Sequence, residues 1–201
     1  MRCFVAIELP SQALLALDAA SGAIRELDPT WANEKWAASD VLHVTLKFLG
    51  DVNEALLDHL RQELSAAFSR EPVFDLELTG LRSVPETGLA SMIWATVEDP
   101  SGGCKRLARV ADHVAVRYGI TPESRDFVPH VTLVRARGRR HVEADVLLQA
   151  GKRSGLAAQV SMSVLSATLF SSTLTPRGPK HQRLVEFTLQ GEMGSDRNDR
   201  P

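Results

Sequence analysis

The stretch HVTLKFLG at residues 43–50 returns in the second half of the chain as HVTLVRAR at residues 130–137. Both stretches begin with alternating polar and apolar residues, which is typical of a β-strand with one buried face. An identical four-residue repeat in two such strands indicates a duplicated unit. The distance between the copies exceeds the roughly 20–50 residues typical of stacked repeat proteins. We therefore interpret the HVTL strands as equivalent strands of two lobes.

Similar segments flank both HVTL strands. Around the first copy the patterns predict a strand, a helix, a helix and a strand, at residues 2–9, 11–28, 53–68 and 73–81. Around the second copy they predict a strand, a helix, a short helix and two strands, at residues 91–98, 107–118, 141–150, 160–172 and 181–190. Short turns between strands favour antiparallel pairing. The predicted fold is α+β, with two pseudo-symmetric lobes that each hold a mostly antiparallel sheet, helices on its outer face, and a cleft between the lobes.

The composition of the 201 residues, with 44% hydrophobic and 24% charged side chains, suits a packed globular domain. We expect one bilobal domain at residues 1–190 and a disordered tail at residues 191–201, which is polar and contains glycine. No apolar run approaches the roughly 18 residues of a membrane helix, and the start MRCFVAIELP does not resemble a signal peptide. These features predict a cytoplasmic protein without a membrane partner. No surface signal suggests a partner chain, so a monomer is expected.

The net charge of −2 argues against binding along a nucleic acid duplex. Binding of a nucleotide or of an RNA end is still compatible with this charge, because positive charge is concentrated locally. Four arginines crowd one stretch, at Arg135, Arg137, Arg139 and Arg140. The two cysteines, Cys3 and Cys104, have neither the spacing of a metal site nor that of a disulfide framework, and we expect them to be small buried side chains.

The polar face of each HVTL strand carries groups suited to acid–base chemistry. Strict alternation places His43, Thr45 and Lys47 on one face of the first strand, and Val44, Leu46 and Phe48 on the other. In the second strand, His130 and Thr132 share a face.

Two histidines across a cleft can supply one neutral and one protonated imidazole near neutral pH. Such a pair suits general acid–base catalysis at phosphorus, where the nucleophile and the leaving group lie on opposite sides. Threonine hydroxyls can donate to the phosphate oxygens. A zinc site needs a third ligand, which neither strand supplies at close spacing, so no metal or cofactor is expected.

Beyond this chemistry, the chain resembles the two-histidine phosphoesterases, and among them the RNA 2′,3′-cyclic phosphodiesterases, once named 2′-5′ RNA ligases. The matching segments span roughly residues 1–190 in family order: MRCFVAIELP, LHVTLKFLGDV, the LTGL…IWATVE pair, FVPHVTLVRAR and SSTLTPRGP. The resemblance implies hydrolysis of a 2′,3′-cyclic phosphate, on an RNA 3′ end or a nucleotide, to a 2′-phosphate. Alternatives are RNA-end binding or 2′-5′ ligation in tRNA processing, and cleavage of 2′-5′-linked oligoadenylate.

The resemblance also implies roles for individual residues. His43 corresponds to the acid that protonates the 3′ oxygen, and His130 to the base that activates water. Thr45, Thr132 and Arg135 correspond to the groups that hold the phosphate.

Strict alternation would turn Arg135 away from His130, so the family role of this arginine requires a bulge or the end of the strand at this point. Further possible substrate contacts are Lys47, Phe48 and His181. Phe48 is instead expected in the core from its position in the alternation. His181 stands where relatives commonly carry an aromatic residue.

Overall fold

The computed structural model describes residues 1–175 and 178–191. The chain forms nine named strands and four α-helices within these ranges, in the order β1 (Arg2–Glu8), α1 (Ser11–Leu27), β2 (Lys35–Trp36), β3 (His43–Asp51), α2 (Glu54–Phe68), β4 (Phe74–Val84), β5 (Ala90–Glu98), α3 (Gly103–Arg117), β6 (His130–Arg140), α4 (Ala144–Arg153), β7 (Val160–Val164), β8 (Ser166–Thr175) and β9 (Gly178–Thr188). The HVTL sequences begin β3 and β6.

The strands form two sheets in which all neighbouring strands are antiparallel. The first sheet has the order β3-β1-β8-β9, and the second has the order β2-β6-β5-β4-β7. Helices α2 and α3 pack against the first sheet, whereas α1 and α4 pack against the second. The α+β architecture of two antiparallel sheets with packed helices confirms the predicted fold class.

The two sheets do not coincide with the two halves of the sequence. Strand β4 follows the first HVTL strand along the chain but pairs in the second sheet, and β8 crosses from the second half into the first sheet. Despite this exchange the HVTL strands occupy equivalent places, because β3 is paired with β1 and β6 is paired with β5. The exchanged strands tie the two lobes together.

The strand expected at 160–172 is wrong as a single element, since it comprises two strands in different sheets. Val160–Val164 pairs with β4 in the second sheet, and Ser166–Thr175 pairs with β1 and β9 in the first. The chain changes sheet at Leu165, which is exposed. No glycine or proline marks this point, so the apolar alternation gives no sign of the change.

Local sequence signals determine where the helices begin and end. Asn53 caps α2, with its side chain accepting a 2.8 Å hydrogen bond from the Leu56 N–H. Gly119, with a φ of 78°, follows the end of α3, as the sequence predicts. At the start of α3, a Cβ on Gly103 would lie 2.3 Å from the ring of Phe74, so this close contact between helix and sheet requires glycine.

The far end of the described chain is attached to the body of the protein. Gly191 forms a bridge with Pro72 and donates a 3.0 Å backbone hydrogen bond to Glu71. The rest of the tail that the sequence predicts to be disordered, residues 192–201, lies outside the described residues. Of the helices described, none has the length and apolar character needed to cross a membrane.

Candidate active site

The two HVTL strands lie close to each other where the two sheets meet. In both strands the histidine forms the same local contact, with Nδ1 2.8 Å from the carbonyl oxygen two residues earlier: Val41 for His43, and Val128 for His130. A carbonyl only accepts hydrogen bonds, so Nδ1 carries a proton in both rings. The Nε2 atom of each histidine is therefore the atom available for proton transfer.

His43 lies among aromatic rings of the first sheet. Its ring centroid is 4.8 Å from that of Phe4 and 5.4 Å from that of His181, and its Nε2 lies 2.9 Å from the Thr45 hydroxyl. Burial, with smaller contributions from the positive charges of His181 and His130, lowers the pKa of His43 to about 4, and the Val41 hydrogen bond opposes the shift. His43 is therefore neutral at pH 7 in the free protein.

His130 stacks on the indole of Trp94, a residue that the HVTL motifs do not include. The two rings are nearly parallel, with centroids 3.6 Å apart and an interplanar angle of 16°. The Arg82 guanidinium lies over the same indole, 5.2 Å from its centroid. Burial lowers the pKa of His130, and the positive charges of Arg135 and Arg82 act in the same direction.

A β-bulge in β6 returns Arg135 to the face of His130. Thr132 pairs with Trp94 and Val134 pairs with Ile93, which leaves Leu133 as an extra residue. Leu133 and Val134 are both buried, and Arg135 is exposed. The extra residue reverses the alternation, as bulges do. The bulge that the phosphate role of Arg135 requires is therefore present.

The first HVTL strand has a bulge at the equivalent position, and it overturns the predicted placement of two residues. Thr45 pairs with Ala6 and Lys47 pairs with Val5, so Leu46 is the extra residue. Lys47 is buried rather than on the cleft face, and Phe48 is 64% exposed rather than in the core. Phe48 thus occupies in β3 the place that Arg135 occupies in β6.

Lys47 contacts the helical side of the sheet instead of the cleft. Its Nζ lies 2.6 Å from the Asp112 carboxylate in α3 and donates a 2.8 Å hydrogen bond to the Thr121 carbonyl. Thr121 belongs to the segment that leads into His130. The predicted substrate contact at Lys47 is therefore wrong, and its ammonium connects β3 to the approach to the second HVTL strand.

His181 lies beside His43, at the edge of a cavity of about 90 Å³ that is also lined by Asp40 and Phe170. Its Nδ1 is buried without a hydrogen-bond partner among the described residues. Burial lowers the pKa of His181, and the negative charge of Asp40 opposes the shift. Its predicted contact with substrate stays a prediction.

Two aromatic residues of the site were missed from the sequence. Trp94 could have been recognised, because the alternation of SMIWATVE places Met92, Trp94 and Thr96 on one face. Phe4 could not, since RCFVAIEL is apolar on both faces. Within residues 1–175 and 178–191, no cluster of three or more histidine, cysteine, aspartate or glutamate side chains is arranged to hold a metal ion.

The lowered pKa of His43 predicts a loss of stability in acid. In the unfolded chain the pKa returns to its ordinary value of 6.5, so between pH 6.5 and about 4 only the unfolded state takes up this proton. The contribution is present above pH 6.5 and decreases as the pH falls. We expect the free energy of unfolding to decrease by about 3 kcal/mol from this group between pH 7 and pH 4.

Urea denaturation of the wild type and of His43→Gln at both pH values measures this contribution. The wild type should lose more stability than the variant over this range, because glutamine has no proton to gain. An equal loss in both proteins would contradict the buried, neutral state of His43.

The sequence of this chain is similar to those of known proteins. Residues 16–172 match the model of the 2′-5′ RNA ligase superfamily. An Aeropyrum pernix protein named RNA 2′,3′-cyclic phosphodiesterase is 32% identical over 153 residues, which cover 76% of this chain and 84% of that protein.

Solved structures show the same fold over nearly the whole chain. A crystal structure of a Thermus thermophilus protein matches with a TM-score of 0.77 and 27% identity, covering 96% of this chain and all of the other. Escherichia coli LigT in complex with 3′-AMP matches with a TM-score of 0.68 and 24% identity, covering 94% of this chain and 97% of that chain.

Proposed function

The chain belongs to the 2′-5′ RNA ligase superfamily, and we propose that it hydrolyses the 2′,3′-cyclic phosphate of RNA 3′ ends or nucleotides to a 2′-phosphate without a metal ion or cofactor. The observation that carries the proposal is the equivalent placement of His43 and His130. Each lies on its own sheet, at the junction of the two sheets, with Nδ1 bound to a backbone carbonyl, which leaves Nε2 as the atom for proton transfer.

The proposed reaction needs one proton acceptor and one proton donor. Nε2 of His130 takes a proton from a water molecule whose oxygen attacks phosphorus. The bond between phosphorus and the 3′ oxygen breaks, and that oxygen receives the proton of the His43 Nε2. The products are a 2′-phosphate and a free 3′ hydroxyl. His130 then loses its proton to solvent, and His43 regains one.

Groups on both strands are placed to stabilise the charge on the phosphate oxygens. The hydroxyls of Thr45 and Thr132 follow the two histidines on the same faces, and the Arg135 guanidinium reaches this face through the bulge. Hydrogen bonds to a charged phosphate group are stronger than bonds between neutral groups. We assign the three residues to the non-bridging oxygens.

The protonation of His43 as the acid depends on the substrate. Its pKa of about 4 leaves it neutral in the free protein at pH 7. A phosphate anion bound next to the imidazole favours the protonated form and raises the pKa. The substrate thus completes the acid–base pair, and the free energy of its binding is partly used to protonate His43.

Phe48 and His181 are proposed as contacts for the substrate beyond the phosphate. Phe48 is exposed on the His43 face and presents a ring on which a base can stack. Among the described residues the buried Nδ1 of His181 has no hydrogen-bond partner, so it offers a donor or an acceptor beside His43. We also propose that the protein acts as a monomer in the cytoplasm.

The proposal is tested with an RNA that ends in a 2′,3′-cyclic phosphate, incubated with the protein in EDTA. We expect complete conversion to the 2′-phosphate, identified by its resistance to a phosphatase specific for 3′-phosphates. Loss of activity in EDTA would refute the metal-free mechanism. Tight RNA binding without product would favour end binding, and preferential cleavage of 2′-5′-linked oligoadenylate would favour that substrate.

The pH profile of the same assay is a second readout. Burial lowers the pKa values of both histidines below 6.5. The pH dependence of kcat/KM reports the ionisation of the free protein, so its plot against pH should be bell-shaped, with both limbs below pH 6.5. A profile that only rises from pH 5 to pH 9 would contradict the acid–base pair.

A further inference from the structure

We propose that residues 136–140 of β6, the arginine arm, bind the phosphodiester backbone of RNA on the 5′ side of the reacting end. This inference rests on the proposed function and adds a second binding site to it. The substrate it selects is an RNA chain rather than a cyclic mononucleotide.

The arginine arm projects from the second sheet directly beyond the phosphate-binding position. Arg135 pairs with Met92 and Arg140 pairs with Ala90, so Ser91 alone lies opposite four residues of β6. The three extra residues in β6 cannot be accommodated in a regular ladder, and the chain must bulge out there. The arm therefore begins at the residue that follows Arg135.

A buried carboxylate holds the base of the arm in place. The Glu34 side chain is 1% exposed and accepts a 2.5 Å hydrogen bond from the backbone N–H of Arg137 and another from the Nε of Arg140. The hydrogen bond from the Arg137 N–H lowers the pKa of the Glu34 carboxyl most strongly, and the bond from Arg140 adds to this effect. Together they hold this pKa below its usual range, although burial acts in the opposite direction. These two hydrogen bonds therefore fix the position of the arginine arm at its base.

Two guanidinium groups on the arm are available to a ligand. Arg137 and Arg139 are exposed, and in the part of the chain that the structure describes no ion pair or side-chain hydrogen bond involves either guanidinium. Arg140, by contrast, is matched by Glu34. Lys35, which is exposed and lies opposite Arg135 in β2, adds to the positive charge at this edge of the sheet.

The chemistry of the substrate explains why a polyanion fits this position. A 2′,3′-cyclic phosphate closes the 3′ end of an RNA, so every other phosphate of the chain lies on the 5′ side. An RNA whose terminal phosphate meets Arg135 has further phosphates within reach of the adjoining arm, whereas a mononucleotide has none. The net charge of the protein is −2, so the attraction is confined to this local group of cations.

The test compares wild type with Arg137→Ala/Arg139→Ala, using an oligoadenylate that ends in a 2′,3′-cyclic phosphate and adenosine 2′,3′-cyclic phosphate. Arg140 is left unchanged, and the Arg137 N–H survives the substitution, so the contacts of Glu34 are retained. Each lost phosphate contact should reduce the salt slope on a single strand by about 0.7. From about 50 to about 200 mM salt, kcat/KM of the wild type on the oligonucleotide should therefore fall roughly sevenfold more than that of the variant.

Lys105→Ala/Arg109→Ala is the matched control, because it removes the same charge from exposed positions of α3. The ratio of kcat/KM between oligonucleotide and mononucleotide should fall only in the arm variant. Equal salt slopes and equal ratios in the wild type and the arm variant would overturn the inference. So would an equal change in the control.

A binding measurement separates this inference from the proposed function. Fluorescence anisotropy with an oligoadenylate that ends in a 2′-phosphate gives the salt slope of Kd without turnover. If the wild type hydrolyses neither substrate, the proposed function fails, and the slopes of the wild type and the arm variant still decide whether the arm binds RNA.

Discussion

Replacement of His43 or His130 by alanine is expected to lower kcat for cyclic phosphate hydrolysis by about 10²–10⁴-fold. Each substitution removes the Nε2 through which the proposed mechanism moves a proton. Each substitution also removes a ring contact, of His43 with Phe4 or of His130 with Trp94, so folding and activity are measured separately. Circular dichroism and single-turnover kinetics measure the two properties separately.

The double variant provides a sharper test of cooperation between the histidines. Groups that act as one unit give strongly non-additive effects, so His43→Ala/His130→Ala should be little slower than the more damaged single variant. His59→Ala removes an exposed histidine from α2 and should keep wild-type activity. Full activity in either site variant would refute the assignment of the site.

Replacement of Asp112 by alanine is expected to lower the free energy of unfolding by about 3–5 kcal/mol. The Lys47 side chain is 5% exposed, and its ammonium is 2.6 Å from the Asp112 carboxylate. Without this partner, the buried positive charge keeps the Thr121 carbonyl as its one polar contact among the residues that the structure describes. Urea denaturation, with the slope of the transition compared between variants, measures the loss.

Replacement of Lys47, the other member of the ion pair, tests whether the loss of stability comes from a buried unpaired ammonium or from loss of the ion pair itself. Lys47→Met leaves Asp112, whose side chain is 27% exposed and within reach of water, and it removes the donor to Thr121. It should cost less, about 1–3 kcal/mol. Asp58→Ala breaks an exposed pair with Arg61 and should cost at most about 1 kcal/mol. Equal losses for Asp112→Ala and Lys47→Met would contradict the burial argument.

Beyond the two bulges, strand periodicity no longer predicts the face of the sheet on which a side chain lies. Alternation correctly placed His43, Thr45, His130 and Thr132 because each pair precedes the bulge of its strand. It failed beyond Leu46, where an extra residue reverses the faces of the following side chains. A bulge is a property of the pairing between strands, and the sequence of one strand does not contain it.

The stacking contacts around the histidines depend on pairing in the same way. Trp94 meets His130 because β5 lies beside β6, and Phe4 meets His43 because β1 lies beside β3. Each strand can be recognised from its own sequence, but the strand with which it pairs cannot. The change of sheet at Leu165 is hidden for the same reason, since both strands are apolar on the face that each buries.

The amino-acid sequence by itself determined the strands and helices, the duplicated HVTL pattern, the polar faces that carry the histidines and threonines, and the likeness to a family of phosphoesterases. All of these depend on local periodicity or on short motifs. Only the tertiary structure decided that Arg135 and Phe48 point to the cleft faces of their strands, that Lys47 is buried under the sheet, and that the arginine arm projects beside the site. These outcomes depend on the register between strands that are distant in the chain, and register follows from packing the whole core at once.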